Sequence, residues 1–204
     1  MAIRTAVNRA LTAITALPTA AALANGNLTL LTTATASSSA TLDFTSGIDD
    51  TYDSYVFTFK DIHPATNDVQ FEFNLSVDSG SNYNVTKTST FFFAYHNEAD
   101  SAAALTYSTD HDLAQSTAFQ RLSANMGNNN DDNLCGNLTI YNPSSTVFVK
   151  HFIANNNHNH QTSAPANVEP FVAGYGNTQS AVNAVQFKFD SGNFDGVIKL
   201  YGVS

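Results

Sequence analysis

The sequence predicts an all-β chain, an antiparallel jelly-roll-like β-sandwich with a short N-terminal amphipathic helix, and three observations lead there. Val69, Phe71, Phe73, Leu75 and Val77 alternate strictly with polar neighbours, the period of a strand with one buried face. At least eight short runs of this kind follow one another with turn signals between them, as in a sandwich. Lys, Glu, Arg and Gln are scarce and charged residues make up only 12% of the chain, whereas Thr, Val, Phe and Tyr are plentiful, a bias towards strands.

Residues 2–17 carry the helical signal. Ile3, Val7, Leu11, Ile14 and Leu17 recur at spacings of three and four, and Pro18 ends the run. The same stretch has the outline of a secretory signal, with Ala10–Leu17 as its apolar part and Ala22-Leu23-Ala24 before Asn25. Thr12 and Thr15 interrupt that apolar part, so the amphipathic helix is preferred. Asn25-Gly26 predicts a turn, Leu28–Thr35 an extended Thr-rich arm, and Ser37–Ser39 a hinge. Residues 1–39 are therefore expected to form an anchor, in which Ile3, Val7, Leu11, Ile14 and Leu17 bury against a partner or a neighbouring copy with the help of Arg4 and Arg9. Residues 40–204 are expected to form one sandwich domain.

Within that domain Tyr55, Phe57 and Phe59 share a strand face, and Asp78-Ser79-Gly80-Ser81 turns the chain after Val77. A strand towards Phe91, Phe93 and Tyr95 follows. Thr109 with Asp112 resembles a capping box before a short helix through Leu113, while Phe119–Leu122 also fits a strand. Gly127–Asn133 predicts a surface loop. Next come Leu138–Tyr141, then Val147, Val149, His151 and Ile153 on one strand, with Asn142-Pro143-Ser144 between them. Val185, Phe187 and Phe189 lead into an Asp190–Gly196 turn, where Gly192 and Gly196 suit positive φ, and Val197–Tyr201 closes the fold. First and last strands of central, apolar character favour a jelly roll over an immunoglobulin-like order.

Charge narrows the partners. The net charge is −9, and from Asp43 onward six basic residues face seventeen acidic ones, too few cations for a nucleic-acid surface. Cys135 is the single cysteine, so neither an intrachain disulfide nor a multi-thiolate metal site is expected. No run of apolar residues approaches the roughly 18 that a spanning helix requires.

Four blocks read in order as IDDTYDSYVFTFKDIHPATNDVQFEF (Ile48–Phe73), FQRLSANMG (Phe119–Gly127), YNPSSTVFVKHFIA (Tyr141–Ala154) and FKFDSGNFDGVIKLYGV (Phe187–Val203). Together they resemble a β-sandwich module common in marine tailed-bacteriophage virion structural proteins. The resemblance covers about residues 40–204. It implies a non-enzymatic virion protein, assembled in the host cytoplasm and displayed on the particle as capsid decoration or a short tail-fibre appendage. It also implies other capsid or tail proteins as partners and a homo-oligomer, as such modules often are, with a trimer as its form. The alternative role is a carbohydrate-binding host-recognition module with a host-surface glycan as its partner.

Several residues carry candidate chemistry. His158-Asn159-His160 places two imidazoles on one side of a strand. In a three-fold oligomer three such pairs would surround one metal, yet the Asn-rich setting predicts exposed loop histidines and no cofactor. His151 reads as a satisfied core or interface residue. The clusters Asp49, Asp50, Asp53 and Asp131, Asp132 lack the spacing of a calcium loop and read as solvated charge. Tyr83, Tyr95, Tyr107 and Tyr175 could offer stacking faces to a sugar, although the chain has no Trp. Hydrolase, zinc-protease and phosphate-loop motifs are missing, and Glu72 is expected to point outward from its strand. Sequons at Asn27, Asn74, Asn84 and Asn137 match what so Asn- and Thr-rich a chain gives by chance.

Overall fold

A computed structural model describes residues 28–160 and 165–204, and the seven expected anchor residues, Ile3 to Leu17, lie outside them. Within the described residues the protein is all-β, antiparallel throughout, and without a helix.

The larger sheet has eight strands. It starts at the edge with β1 (Thr29–Ser39), followed in space by β12 (Phe194–Val203), β3 (Ser54–Pro64) and β8 (Leu134–Tyr141). It continues through β9 (Lys150–His160), β10 (Ala166–Gly176), β5 (Lys87–Asn97) and the far edge β6 (Ala103–Tyr107). The smaller sheet runs β2 (Thr41–Phe44), β11 (Ala184–Phe189), β4 (Phe71–Ser76) and β7 (Gln120–Arg121). Setting aside β5, β6, β9 and β10 leaves β1-β12-β3-β8 against β2-β11-β4-β7. The pairs β1 and β2, β3 and β4, β7 and β8, and β11 and β12 then each cross from one sheet to the other. The four remaining strands extend the larger sheet beyond β8.

Alternation drives these strands as expected. Tyr55, Phe57 and Phe59 of β3 are buried at 0%, 0% and 4% exposure, with Val56 and Thr58 turned to the outer face. The sheets meet through rings in edge-to-face contact: Phe57 on Phe187 at 5.1 Å, Phe59 on Phe71 at 5.3 Å, and Phe73 on Phe152 at 5.2 Å between centroids. Burying a phenyl side chain is worth about 2 kcal/mol, so this ring cluster is the main adhesive between the layers. Gly192 and Gly196 sit at φ +79° and +138°, and a Cβ on Gly196 would lie 2.7 Å from Ile62 Cδ1 and 2.8 Å from the Asp61 carbonyl. That glycine permits the bulge where β12 crosses β3 between Asp195 and Val197.

Several expectations change. Residues 29–39, read as an arm and hinge, pair with β12 from Thr29↔Gly202 to Ser39↔Phe194, and Ser38 marks an irregularity with φ 49°. The polar side of β4 is not solvated: Glu72 is 7% exposed and Asn74 and Ser76 are 0%. Distant loops cover it, as Asn74 Nδ2 donates to the carbonyls of Tyr83 (2.8 Å) and Thr117 (3.0 Å). Residues 109–111 make a turn instead of a helix start, while Gln120–Arg121 is a strand. Strand β9 begins only at Lys150, leaving Val147 and Phe148 exposed, and it runs on through the Asn-rich stretch expected to be a loop. Its amides find partners across the sheet and beneath it, for example Asn156 Nδ2 to the Leu122 carbonyl (3.0 Å) and Asn157 Nδ2 to Asn167 Oδ1 (2.6 Å). Such bonds outweigh the poor strand propensity of Asn.

Candidate functional site

His158 and His160 end β9 on its inner face. His158 is 1% exposed, a correction to the exposed loop pair expected from the sequence. Its Nε2 accepts the Ala124 N–H at 3.2 Å and its Nδ1 lies 3.1 Å from the Asn159 carbonyl, which together select the neutral Nδ1–H tautomer. Burial pushes its pKa down to about 4, helped by the neighbouring His160 and His111 and opposed by the Asn159 bond. Both ring nitrogens are occupied, so His158 has no lone pair to give a metal. Burial also lowers His160, against the opposing charge of Asp68. Among the described residues no group of three or more His, Cys, Asp or Glu is arranged to hold a metal ion.

His160 lines a cavity of about 370 Å³ with Phe93, Tyr95, Ala124, Ala166 and Val168. This is where the structure brings two of the sequence candidates, Tyr95 and His160, together. Asn97 also reaches the wall, but its Oδ1 accepts the N–H groups of Ser101 (2.9 Å) and Ala102 (3.0 Å) and its Nδ2 bonds Ser101 Oγ (2.8 Å). Its task is to hold the β5–β6 turn. The cavity therefore offers apolar and aromatic walls with one imidazole among them.

The remaining tyrosines lie apart. Tyr175 is on the outer face of β10 beside His151, with ring centroids 6.0 Å apart; His151 is itself exposed on that face, not buried in the core. Tyr107 ends the edge strand and donates its hydroxyl to Asp112 Oδ2 at 2.6 Å. Tyr83 belongs to the loop over β4, where burial and then the nearby Asp43 carboxylate raise its pKa. No common sugar platform joins the four.

A second cavity of about 470 Å³ gathers charge: Glu72, Asp110, His111, Arg121, Lys188 and Asp190. Contrary to expectation Glu72 is buried, paired with Lys188 at 3.1 Å while that ammonium rests 4.4 Å over the Phe119 ring. Burial raises the Glu72 pKa more than Lys188 lowers it. Arg121 is committed to the Asp110 carbonyl (2.9 Å), and burial lowers His111. The acidic clusters have structural work as well. Hydrogen bonds from Thr51 hold Asp49 low, and Asp132 is 5% exposed, accepting from the Asn129 N–H at 3.0 Å and from Asn159 Nδ2.

Sequence reasoning missed the two buried lysines. Lys87 and Lys150 open β5 and β9 and are both 0% exposed. Their only sequence signal is that each stands at a strand start in a lysine-poor chain. Lys150 Nζ donates to the carbonyls of Ser145 (2.6 Å), Phe148 (2.7 Å) and Thr178 (3.2 Å), three acceptors for its three protons. Comparison of the chain with protein families, with curated proteins and with solved structures finds no match.

Proposed function

We propose that this protein is a non-enzymatic structural component of a tailed-phage particle, displayed on its surface as capsid decoration or as a short tail appendage. The observation that carries this reading is the strand order. Without the four added strands it agrees with the order expected of a jelly roll, an architecture used by viral capsid and lectin domains. The resemblance of four sequence blocks to phage virion modules supports the same assignment. So does the outer face of the extended sheet, where Leu105, Tyr107, Ile153 and the stacked pair Phe92–Phe171 (5.2 Å between centroids) lie at the surface. Apolar surface of that kind suits a neighbouring virion protein or a further copy in a homo-oligomer.

Quantitative mass spectrometry of purified particles, scaled to the major capsid protein, tests the proposal. Hundreds of copies would place it on the head; a few to a few dozen would place it on the tail; absence from the particle would refute it. Residues 1–24 enter as the anchor: their deletion is expected to leave a soluble domain that no longer joins the particle.

One observation favours a second reading, a carbohydrate-binding host-recognition module: the cavity walled by Tyr95 with His160 at its rim. A glycan screen in which binding is lost on Tyr95→Ala would support it.

A further inference from the structure

Asn74 and Lys87 touch where the chain passes from the smaller sheet to the larger one. Both side chains are 0% exposed. Lys87 Nζ donates to Asn74 Oδ1 and to the Val85 carbonyl at 2.8 Å. The carboxamide is pinned from its other sides: Nδ2 donates to the carbonyls of Tyr83 (2.8 Å) and Thr117 (3.0 Å), and Oδ1 accepts the Leu75 N–H at 2.8 Å. Its Cγ is thus held beside the amine, with a backbone donor already aimed at the oxygen that would gain charge.

Lys87 has two acceptors, Asn74 Oδ1 and the Val85 carbonyl, where Lys150 has three. Among the described residues no carboxylate forms a salt bridge with Lys87. A buried ammonium without a counter-ion is costly, so the site favours the free amine, and burial pushes Lys87 down to about 7. A free amine is a nucleophile; an ammonium is not. Glu72 stands two residues before Asn74 on the same face of β4, and its charge is the one that opposes the shift at Lys87. Burial raises the pKa of Glu72 towards the acid form that can donate a proton.

We propose that Lys87 and Asn74 join in an intramolecular isopeptide bond, with Glu72 as the proton carrier. The Nζ lone pair attacks Cγ of Asn74, and a C–N bond forms as the carbonyl electrons move onto Oδ1. The Glu72 carboxylate takes a proton from Nζ and passes it to Nδ2, and the Cγ–Nδ2 bond breaks as the carbonyl re-forms. One amine and one carboxamide become a secondary amide and ammonia, with Glu72 regenerated and no oxidant, reductant or cofactor consumed. The bond would close a loop between positions 13 apart and tie β4 to the first residue of β5. It goes beyond the virion assignment and stands without it.

The experiment is the intact mass of the purified full chain, followed by peptide mapping. The expected result is a mass one ammonia below that of the sequence, with a branched peptide linking Asn74 to Lys87. Lys87→Met and Asn74→Ala are expected to show the full mass and a lower melting temperature, and Glu72→Gln to remain unlinked. A wild-type chain of full sequence mass overturns the proposal, and that measurement depends on no variant folding. A deficit that persists in Lys87→Met also overturns it, by placing the lost ammonia elsewhere, for instance at Asn25-Gly26. A linked Glu72→Gln chain overturns the part given to Glu72.

Discussion

Between β3 and β11 the sheets close on rings, which reach β9 at Phe152; beneath the Asn156–His158 end of β9 the same sheet is closed by an amide, a histidine and a loop. Phe187 alone has five phenylalanine rings, those of Phe44, Phe57, Phe59, Phe71 and Phe73, within 6.3 Å of its own. At the other end Asn156 and His158, both about 1% exposed, hold the segment Leu122–Ala124 through directed hydrogen bonds. Ring packing is non-directional and tolerates small shifts, whereas a buried amide or imidazole is stable only while each partner stays in place. The ring-packed half should therefore set the global stability, and the extension should open first.

Phe187→Ala should have the largest effect. It removes the ring shared by both sheets and should cost about 4 kcal/mol in urea unfolding; a loss no larger than that of a surface substitution would show that the ring cluster does not hold the layers. A test of the extension uses pH. The unfolded His158 takes up a proton near 6.5 and the folded one only near 4, so the unfolded chain binds protons first. Stability should fall as pH drops from about 6.5 towards 4, by about 3 kcal/mol from this residue, and the fall should be shallower in His158→Gln. Hydrogen exchange at pH 5 should show β9 and β10 losing protection before β3 and β12.

A smaller effect is expected at Lys150, where Lys150→Met strips the donor from three carbonyls and should cost about 2 kcal/mol in thermal melts. The smallest belongs to the edge. Leu105 is 72% exposed on β6, so Leu105→Ser should change monomer stability by less than about 0.5 kcal/mol. An effect on assembly without one on stability would mark that face as a contact surface.

The candidate site was only partly legible beforehand. The spacing of His158 and His160 gives their shared side, and Tyr95 reads as an aromatic at a loop or strand end. That these two line one cavity while Tyr83, Tyr107 and Tyr175 do not depends on the order β9-β10-β5, which no local pattern encodes. The Lys87–Asn74 contact was invisible for a similar reason. Asn74 occupies what alternation alone assigns to a solvated face, and the loops that bury it come from residues 83 and 117.

By itself the sequence determined the strands whose apolar alternation is strong, such as Tyr55–Phe59 in β3 and Val185–Phe189 in β11, because period-two burial is a property of neighbouring residues. It likewise determined the glycine turn before the last strand, where positive φ excludes most side chains. Only the tertiary structure decided that residues 29–39 are an edge strand, that an Asn-rich run continues β9, and that Glu72, Asn74 and His158 are buried. A polar residue becomes interior only when a segment far along the chain supplies its hydrogen-bond partners and excludes water, and that partner is set by the fold.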